Sequence, residues 1–164
     1  MHTGFLTAYS TFKNTIIPKL ATLKKKYPYA QTLLTGHSLG GAMATLAIPD
    51  LFEEIDGIDF FYSFGSPRVG NSDFANFIND FFLKGGYSAR VTHNQDLVPH
   101  LPEKFLGYKH IDNEVYYDEK SQDFSICQND EKGCSNENLM NPSIQDHKNY
   151  MGVPTSYSKF CRNG

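Results

Sequence analysis

"TLLTGHSLGGAMATLAIPDLF", residues 32–52, changes character at its middle. Ahead of Gly36 stand Leu33, Leu34 and Thr35, residue types suited to a buried strand. Behind Ser38, apolar residues recur at Leu39, Ala42, Met43, Leu46 and Ala47, the spacing of one helix face. Gly36-His37-Ser38-Leu39-Gly40 between them reads as a sharp strand-to-helix turn with a serine at its tip. Gly36 and Gly40 carry no Cβ, so strand and helix can pass close together. A hydroxyl held there projects from the carboxyl end of a strand above a helix N-terminus. The free N–H groups and positive dipole end of that helix favour a developing anion. An incidental serine in a glycine-rich turn is the competing reading. The strand before it and the helix after it favour a nucleophile.

Outward from this elbow the chain alternates. Phe5, Tyr9, Phe12, Ile16, Leu20 and Leu23 fall three or four apart and predict an amphipathic helix over about 4–26, ending before Pro28. Strand 31–36, the elbow and helix 39–54 follow. "IDFFYSFGSP" (58–67) predicts a second strand, and "NSDFANFINDFFL" (71–83) a helix with Asn71 or Ser72 as N-cap. "SARVTHN" (88–94) and "NEVYYD" (113–118) predict two more strands, the last with no helix before it. Such alternation implies an α/β fold with a mostly parallel sheet, flanking helices and right-handed crossovers. The Asn-, Ser- and Asp-rich tail from 119 onwards reads mostly as loop.

Composition bounds the class. The chain has 164 residues, 40% hydrophobic, with 14% aromatic from Phe and Tyr and no Trp. That is room for one domain with a real core. Net charge is −3, and the one lysine run, Lys24-Lys25-Lys26, suits the negative end of a helix better than a nucleic acid. No apolar run reaches the length of a membrane span, no signal peptide opens the chain, and no Asn-x-Ser/Thr acceptor occurs. No His/Cys cluster has the spacing of a metal site, and no cofactor is expected.

A nucleophilic serine needs a base, and the base needs an orienting acid. In α/β-hydrolase sheets these follow in the order Ser, Asp or Glu, His, each at or beyond the carboxyl end of a strand. Asp96 fits the middle position, two residues past strand 88–94 in "HNQDLVPHLP", with an Asx-type loop cap as its alternative. Six histidines compete for the base. His2 and His37 precede or adjoin the serine, and His93 lies in the strand body. His100 is only four residues past Asp96, and His110 lies at a strand's entry. His147, in "SIQDHKNYMG" after all these strands, is the remaining candidate. Ser38, Asp96 and His147 form the expected set.

These residues carry a resemblance. "HTGFLTAY" (2–9), "TGHSLGGAMATL" (35–46), "FGSPRVGN" (64–71), "HNQDLVPHLP" (93–102), "CQNDEKGCSN" (127–136) and "DHKNYMG" (146–152) resemble the class 3, fungal-type triacylglycerol lipases of the α/β-hydrolase superfamily. The resemblance places the nucleophile on Ser38, the acid on Asp96 and the base on His147, and an oxyanion N–H on Leu39. It implies hydrolysis of acylglycerol esters at a lipid interface through an acyl-enzyme, without a cofactor. Val98 and Leu101, beside the acid, are candidate acyl-pocket residues. Feruloyl-type esterases of the same family and a lipase-fold binding protein without turnover are the alternatives. Arg68 in "GSPRVGN" is expected to make a structural ion pair rather than touch substrate. Asp112 stands where the family usually has a glycine, in a turn.

The resemblance further suggests a local disulfide, Cys127–Cys134, and with it an oxidising compartment and secretion. Cys161 is left over; the family's C-terminal cysteine pairs with one in an N-terminal region this chain does not contain. The second oxyanion donor of this fold lies in a loop upstream of the elbow strand, and only one helix precedes strand 31–36. The expectation is therefore one lipase-like domain over 1–164, a carboxyl-terminal part with the N-terminal strands, the lid and the second oxyanion donor missing.

Overall fold

Phe61 is fully buried where the sheet meets its helices. A computed structural model of the chain describes residues 1–118, 123–128 and 134–155. Five strands form one sheet in the order β1 (Leu33–His37), β2 (Phe60–Phe64), β3 (Tyr87–His93), β4 (Glu114–Tyr117) and β5 (Phe124–Cys127). The first four are parallel in register Leu33–Phe60, Phe60–Tyr87 and Arg90–Glu114, and β5 runs antiparallel to β4. Helix α1 (Thr3–Lys26) precedes β1, and α2 (Leu39–Ile55) and α3 (Ser72–Leu83) occupy the β1–β2 and β2–β3 connections, as the periodicities predict.

Side chains of adjacent strand residues point to opposite faces. Leu34 and Phe61 meet the helices in a core with Ile17, Ile48, Leu51 and Ile78. Burying such side chains contributes roughly 1.5–3 kcal/mol each. α1 is fastened to α2 by Asp50, which accepts from the Tyr9 hydroxyl at 2.6 Å and pairs with Lys13 at 2.6 Å. Asn71 caps α3, its Oδ1 accepting from the Phe74 N–H at 3.1 Å. Lys24, Lys25 and Lys26 do lie in the last turn of α1.

The other face differs. Phe60, Tyr62, Phe64, Tyr87, Val91 and Val115 share it and line an open apolar groove of about 570 Å³. Leu33 and Thr35 lie on this face and are exposed. The expectation that β1 is buried is thus half right: only Leu34 of the three points into the core. Among the described residues, the cover on this face is the small hairpin of β6 (Asn149–Tyr150) and β7 (Val153–Pro154), where Tyr150 packs with Val91, Tyr117 and Phe64.

The tail also departs from a plain loop. Phe124–Cys127 forms the edge strand β5, and two one-turn helices follow, α4 (Ser135–Asn138) and α5 (Ile144–His147). Cys127 and Cys134 are disulfide-bonded. Buried Glu114 anchors this region: its carboxylate accepts from Thr92 at 2.6 Å and from the Ser135 N–H at 3.3 Å, and lies 3.6 Å from Arg90. Asp112 and Asn79 exchange two hydrogen bonds, 2.9 and 3.0 Å, so this turn is tied to α3. Cys161 lies outside the described residues.

Candidate functional site

Ser38 joins β1 to α2 with φ 56° and ψ −126°, a conformation that costs a non-glycine residue strain. Its N–H is held by the Phe64 carbonyl at 2.9 Å, and its own carbonyl accepts from Gly41 and Ala42. The glycines that permit the elbow are Gly36 and Gly41. A β carbon on Gly36 would lie 2.3 Å from the Gly40 carbonyl oxygen, and one on Gly41 would lie 2.8 Å from Ser66 Cβ. A β carbon on Gly40 would meet nothing within 4 Å. The close approach is therefore made by Gly36 against the backbone of Gly40, with Gly41 the second necessary glycine.

His147 ends α5, whose N-cap Ser143 accepts from the Asp146 N–H at 3.0 Å. The loop after β3 holds this segment in place. Gln95 accepts through Oε1 from the Met140 and Asn141 N–H groups, and its carbonyl accepts from Ser143 N–H at 2.7 Å. Asp146 in turn accepts from the Asn94 side chain and the Gln95 N–H. Two segments some fifty residues apart in sequence are thus stitched side by side, and His147 is delivered to Asp96.

The result is a continuous hydrogen-bonded line. His147 Nε2 lies 2.8 Å from Ser38 Oγ, and His147 Nδ1 lies 2.9 Å from Asp96 Oδ2. Asp96 is 2% exposed and His147 is 9% exposed, while Ser38 is only partly buried. Asp96 accepts through Oδ1 from the Val98 N–H at 2.9 Å and through Oδ2 from the Tyr150 hydroxyl at 2.6 Å. Hydrogen-bonding to a buried carboxylate, His147 Nδ1 carries the proton, which leaves Nε2 free to accept one from the serine. Leu39 begins α2, so its N–H has no acceptor within the helix and lies beside Ser38.

The other histidines take structural places. His37 Nε2–H donates to the His147 carbonyl at 2.9 Å, and the two rings are 4.5 Å apart. Burial first, and the neighbouring His147, push the His37 imidazole below its usual range; the His147 carbonyl and Asp96 pull the other way. His93 is buried with its Nδ1 3.1 Å from the Asp146 carbonyl, and His110 has Nε2 2.7 Å from the Pro99 carbonyl. Arg68 is 2% exposed and donates to the carbonyls of His100 and Pro102, which clamps the backbone of the 98–102 loop. Two residues at the site carried no local signal of their role. Gly65 has φ 56°, and a β carbon there would lie 2.8 Å from both Asp96 Oδ2 and Tyr150 Oη. Tyr150 is 4% exposed beneath Asp96.

Residues 1–106 match the family model described as lipase (class 3). The chain belongs to the class 3 lipase family. A lipase of Rhizomucor miehei is 35% identical over 163 residues, 94% of this chain and 44% of the relative. A secreted mono- and diacylglycerol lipase of Fusarium solani is 43% identical over 119 residues, 72% of this chain and 34% of the relative. Among solved structures, the Rhizomucor miehei lipase–propeptide complex superposes with a TM-score of 0.87 at 33% identity, over 95% of this chain and 51% of its own. This class 3 lipase chain therefore spans about half the length of the relatives it matches, and the fold is that of the α/β-hydrolases.

Proposed function

We propose that this class 3 lipase chain hydrolyses carboxylic esters of acylglycerols through Ser38, His147 and Asp96. The observation that carries the reading is the line Ser38 Oγ–His147 Nε2 and His147 Nδ1–Asp96 Oδ2, at 2.8 and 2.9 Å, with the serine on a strained elbow. It supports a two-step acyl transfer. His147 Nε2 takes the Ser38 proton as Oγ bonds to the ester carbonyl carbon, and Asp96 stabilises the imidazolium that forms. The carbonyl electrons move onto oxygen, beside the Leu39 N–H. As they return, the bond to the alcohol breaks and His147 gives that oxygen its proton. Water then repeats the sequence on the acyl-enzyme, giving its proton to His147 and its oxygen to the acid, and Ser38 is restored.

Several features support an apolar, interfacial substrate. Leu39, next to Ser38, and Leu101, five residues past Asp96, have 45% and 37% of their surface exposed, and Phe105 and Leu106 further along the same loop 84% and 57%. Val98, whose N–H orients Asp96, and Leu101 are the proposed acyl contacts. One relative, 34% identical, is a triacylglycerol lipase whose catalytic centre is a serine-protease triad, and two are named as secreted mono- and diacylglycerol lipases. Secretion is proposed here on the same grounds together with the Cys127–Cys134 disulfide. The test is turnover on emulsified triacylglycerol, diacylglycerol and methyl ferulate by wild type and Ser38→Ala. The reading expects serine-dependent turnover of the acylglycerols. Turnover confined to ferulate points to an aryl esterase, and turnover that survives Ser38→Ala removes the mechanism.

A further inference from the structure

Two donors converge on one oxygen. Asp96 Oδ2 accepts from His147 Nδ1 at 2.9 Å and from the Tyr150 hydroxyl at 2.6 Å, while the Val98 N–H occupies Oδ1. Tyr150 reaches this point from β6, three residues beyond His147, so the base and the phenol are carried by one short segment. The ring is fixed on several sides: by Phe64 and Tyr117 at 6.1 Å, by His37 at 5.5 Å and by His93 at 5.7 Å. Gly65 backs the arrangement, since a β carbon there would reach Oδ2, the phenol oxygen and His147 Nδ1 together.

We propose that Tyr150 is a positioning residue for the reaction, holding Asp96 in the rotamer that faces His147 and sharing Oδ2 with it. The inference rests on the hydrolase reading above. A phenol donating to a carboxylate removes charge density from the oxygen it touches. The pull of Asp96 on the imidazole proton is thereby tempered, and the carboxylate cannot swing its Oδ1 edge toward the base without losing the Tyr150 and Val98 bonds. Burial first, then the charge of Asp96 and its hydrogen bond, raise the phenol well above its usual range, with the His93 backbone acting the other way. Tyr150 therefore stays a donor through the working pH range. The other titratable groups around it are His37, His93, Tyr117 and Asp146, whose backbone or side chain meets the same cluster.

Tyr150→Phe isolates the hydroxyl, because the ring and its packing remain. The expected result is a fall in kcat of about tenfold, the range for a hydrogen bond to a charged group, with KM little changed. The acid limb of kcat/KM moves to higher pH, since a carboxylate stripped of one donor holds the imidazolium more firmly. By NMR, the low-field His147 Nδ1 proton moves downfield. That resonance is read equally well in the Ser38→Ala background, without turnover. A lowered melting temperature with unchanged kcat, pH profile and resonance overturns the proposal and leaves Tyr150 a packing residue. A shifted resonance in a protein whose wild type hydrolyses no ester retains the positioning role and removes the hydrolase reading. An unmoved resonance without turnover removes both.

Discussion

Gly65 and Asp96 touch through an atom that is not there. The α carbon of Gly65 lies so close to the acid that a β carbon would stand 2.8 Å from Asp96 Oδ2, 2.8 Å from Tyr150 Oη and 3.0 Å from His147 Nδ1. The backbone there has φ 56°, which glycine adopts freely and other residues do not. Gly65→Ala should therefore move the acid and the base together, and ester hydrolysis should fall by 100-fold or more, on the order expected when a reacting group is displaced by about 1 Å. Steady-state kinetics on a soluble short-chain ester, alongside a melting curve, separates this from unfolding. Gly40→Ala is the contrast, since a β carbon there meets nothing, and its activity should stay within a few-fold of wild type.

Ser38 is held at positive φ by the elbow. Ser38→Gly should raise stability by about 1 kcal/mol, the relieved backbone strain less the extra chain entropy of glycine. Ser38→Ala keeps the strain and should unfold at nearly the wild-type urea concentration. Both variants should be inactive. Equal midpoints for the glycine and alanine variants would show that the elbow is not strained.

Burial lowers the His37 pKa and so favours the neutral ring in the fold, while its Nε2–H holds the His147 carbonyl. In the unfolded chain it titrates near the free value of about 6.5. A depressed folded value means the unfolded state binds its proton first as pH falls. The stabilisation is thus full above the unfolded value and is lost as pH drops toward the folded one. Urea midpoints measured at pH 7.5 and 5.0 should fall more for wild type than for His37→Gln, which keeps a donor and does not titrate. An identical acid loss in both proteins would place the effect elsewhere.

Much of this was legible in the sequence, for local reasons. The elbow announces itself through Gly36 and Ser38 within three residues, and α1, α2 and α3 through helical spacing. Chain order past a strand end points to Asp96 and elimination among six histidines to His147, and the structure sets His147 2.8 Å from Ser38 Oγ and 2.9 Å from Asp96 Oδ2. What escaped depends on partners far away in sequence. "FSIC" has four residues in a polar tail, and only its pairing with β4 makes it a strand. Leu33 and Thr35 look like buried strand residues because apolar and β-branched types do not reveal which face is covered. Gly65 and Tyr150 are ordinary residues until the fold places Asp96 between them.

The disulfide closes a small ring at the sheet edge, seven residues apart. By loop entropy it should contribute about 2–3 kcal/mol. Reduction, or Cys127→Ser with Cys134→Ser, should lower the urea midpoint accordingly, with protection first lost at the amides of β5 in hydrogen exchange. Thiol titration of unreduced, denatured protein should find one reactive group, at Cys161. Three reactive groups would contradict the bridge.

Among the described residues the apolar face of β2 and β3, with Tyr62 at its middle, is covered only in part, by the β6–β7 hairpin. A protein of these 164 residues should self-associate with concentration and bind a hydrophobic dye, as contiguous apolar patches do. Tyr62→Lys should reduce both while leaving the 2.8 Å contact of Ser38 and His147 intact. Sedimentation velocity that finds a monomer at every concentration, with no dye bound, would mean this face is covered.

Whether Ser38 is an activated nucleophile is read most directly by covalent labelling with a fluorophosphonate followed by peptide mapping. One phosphonylated residue is expected, Ser38, labelled at a rate that falls steeply in His147→Ala and Asp96→Asn. Labelling that maps to another residue, or that proceeds at Ser38 equally fast without His147, would contradict it.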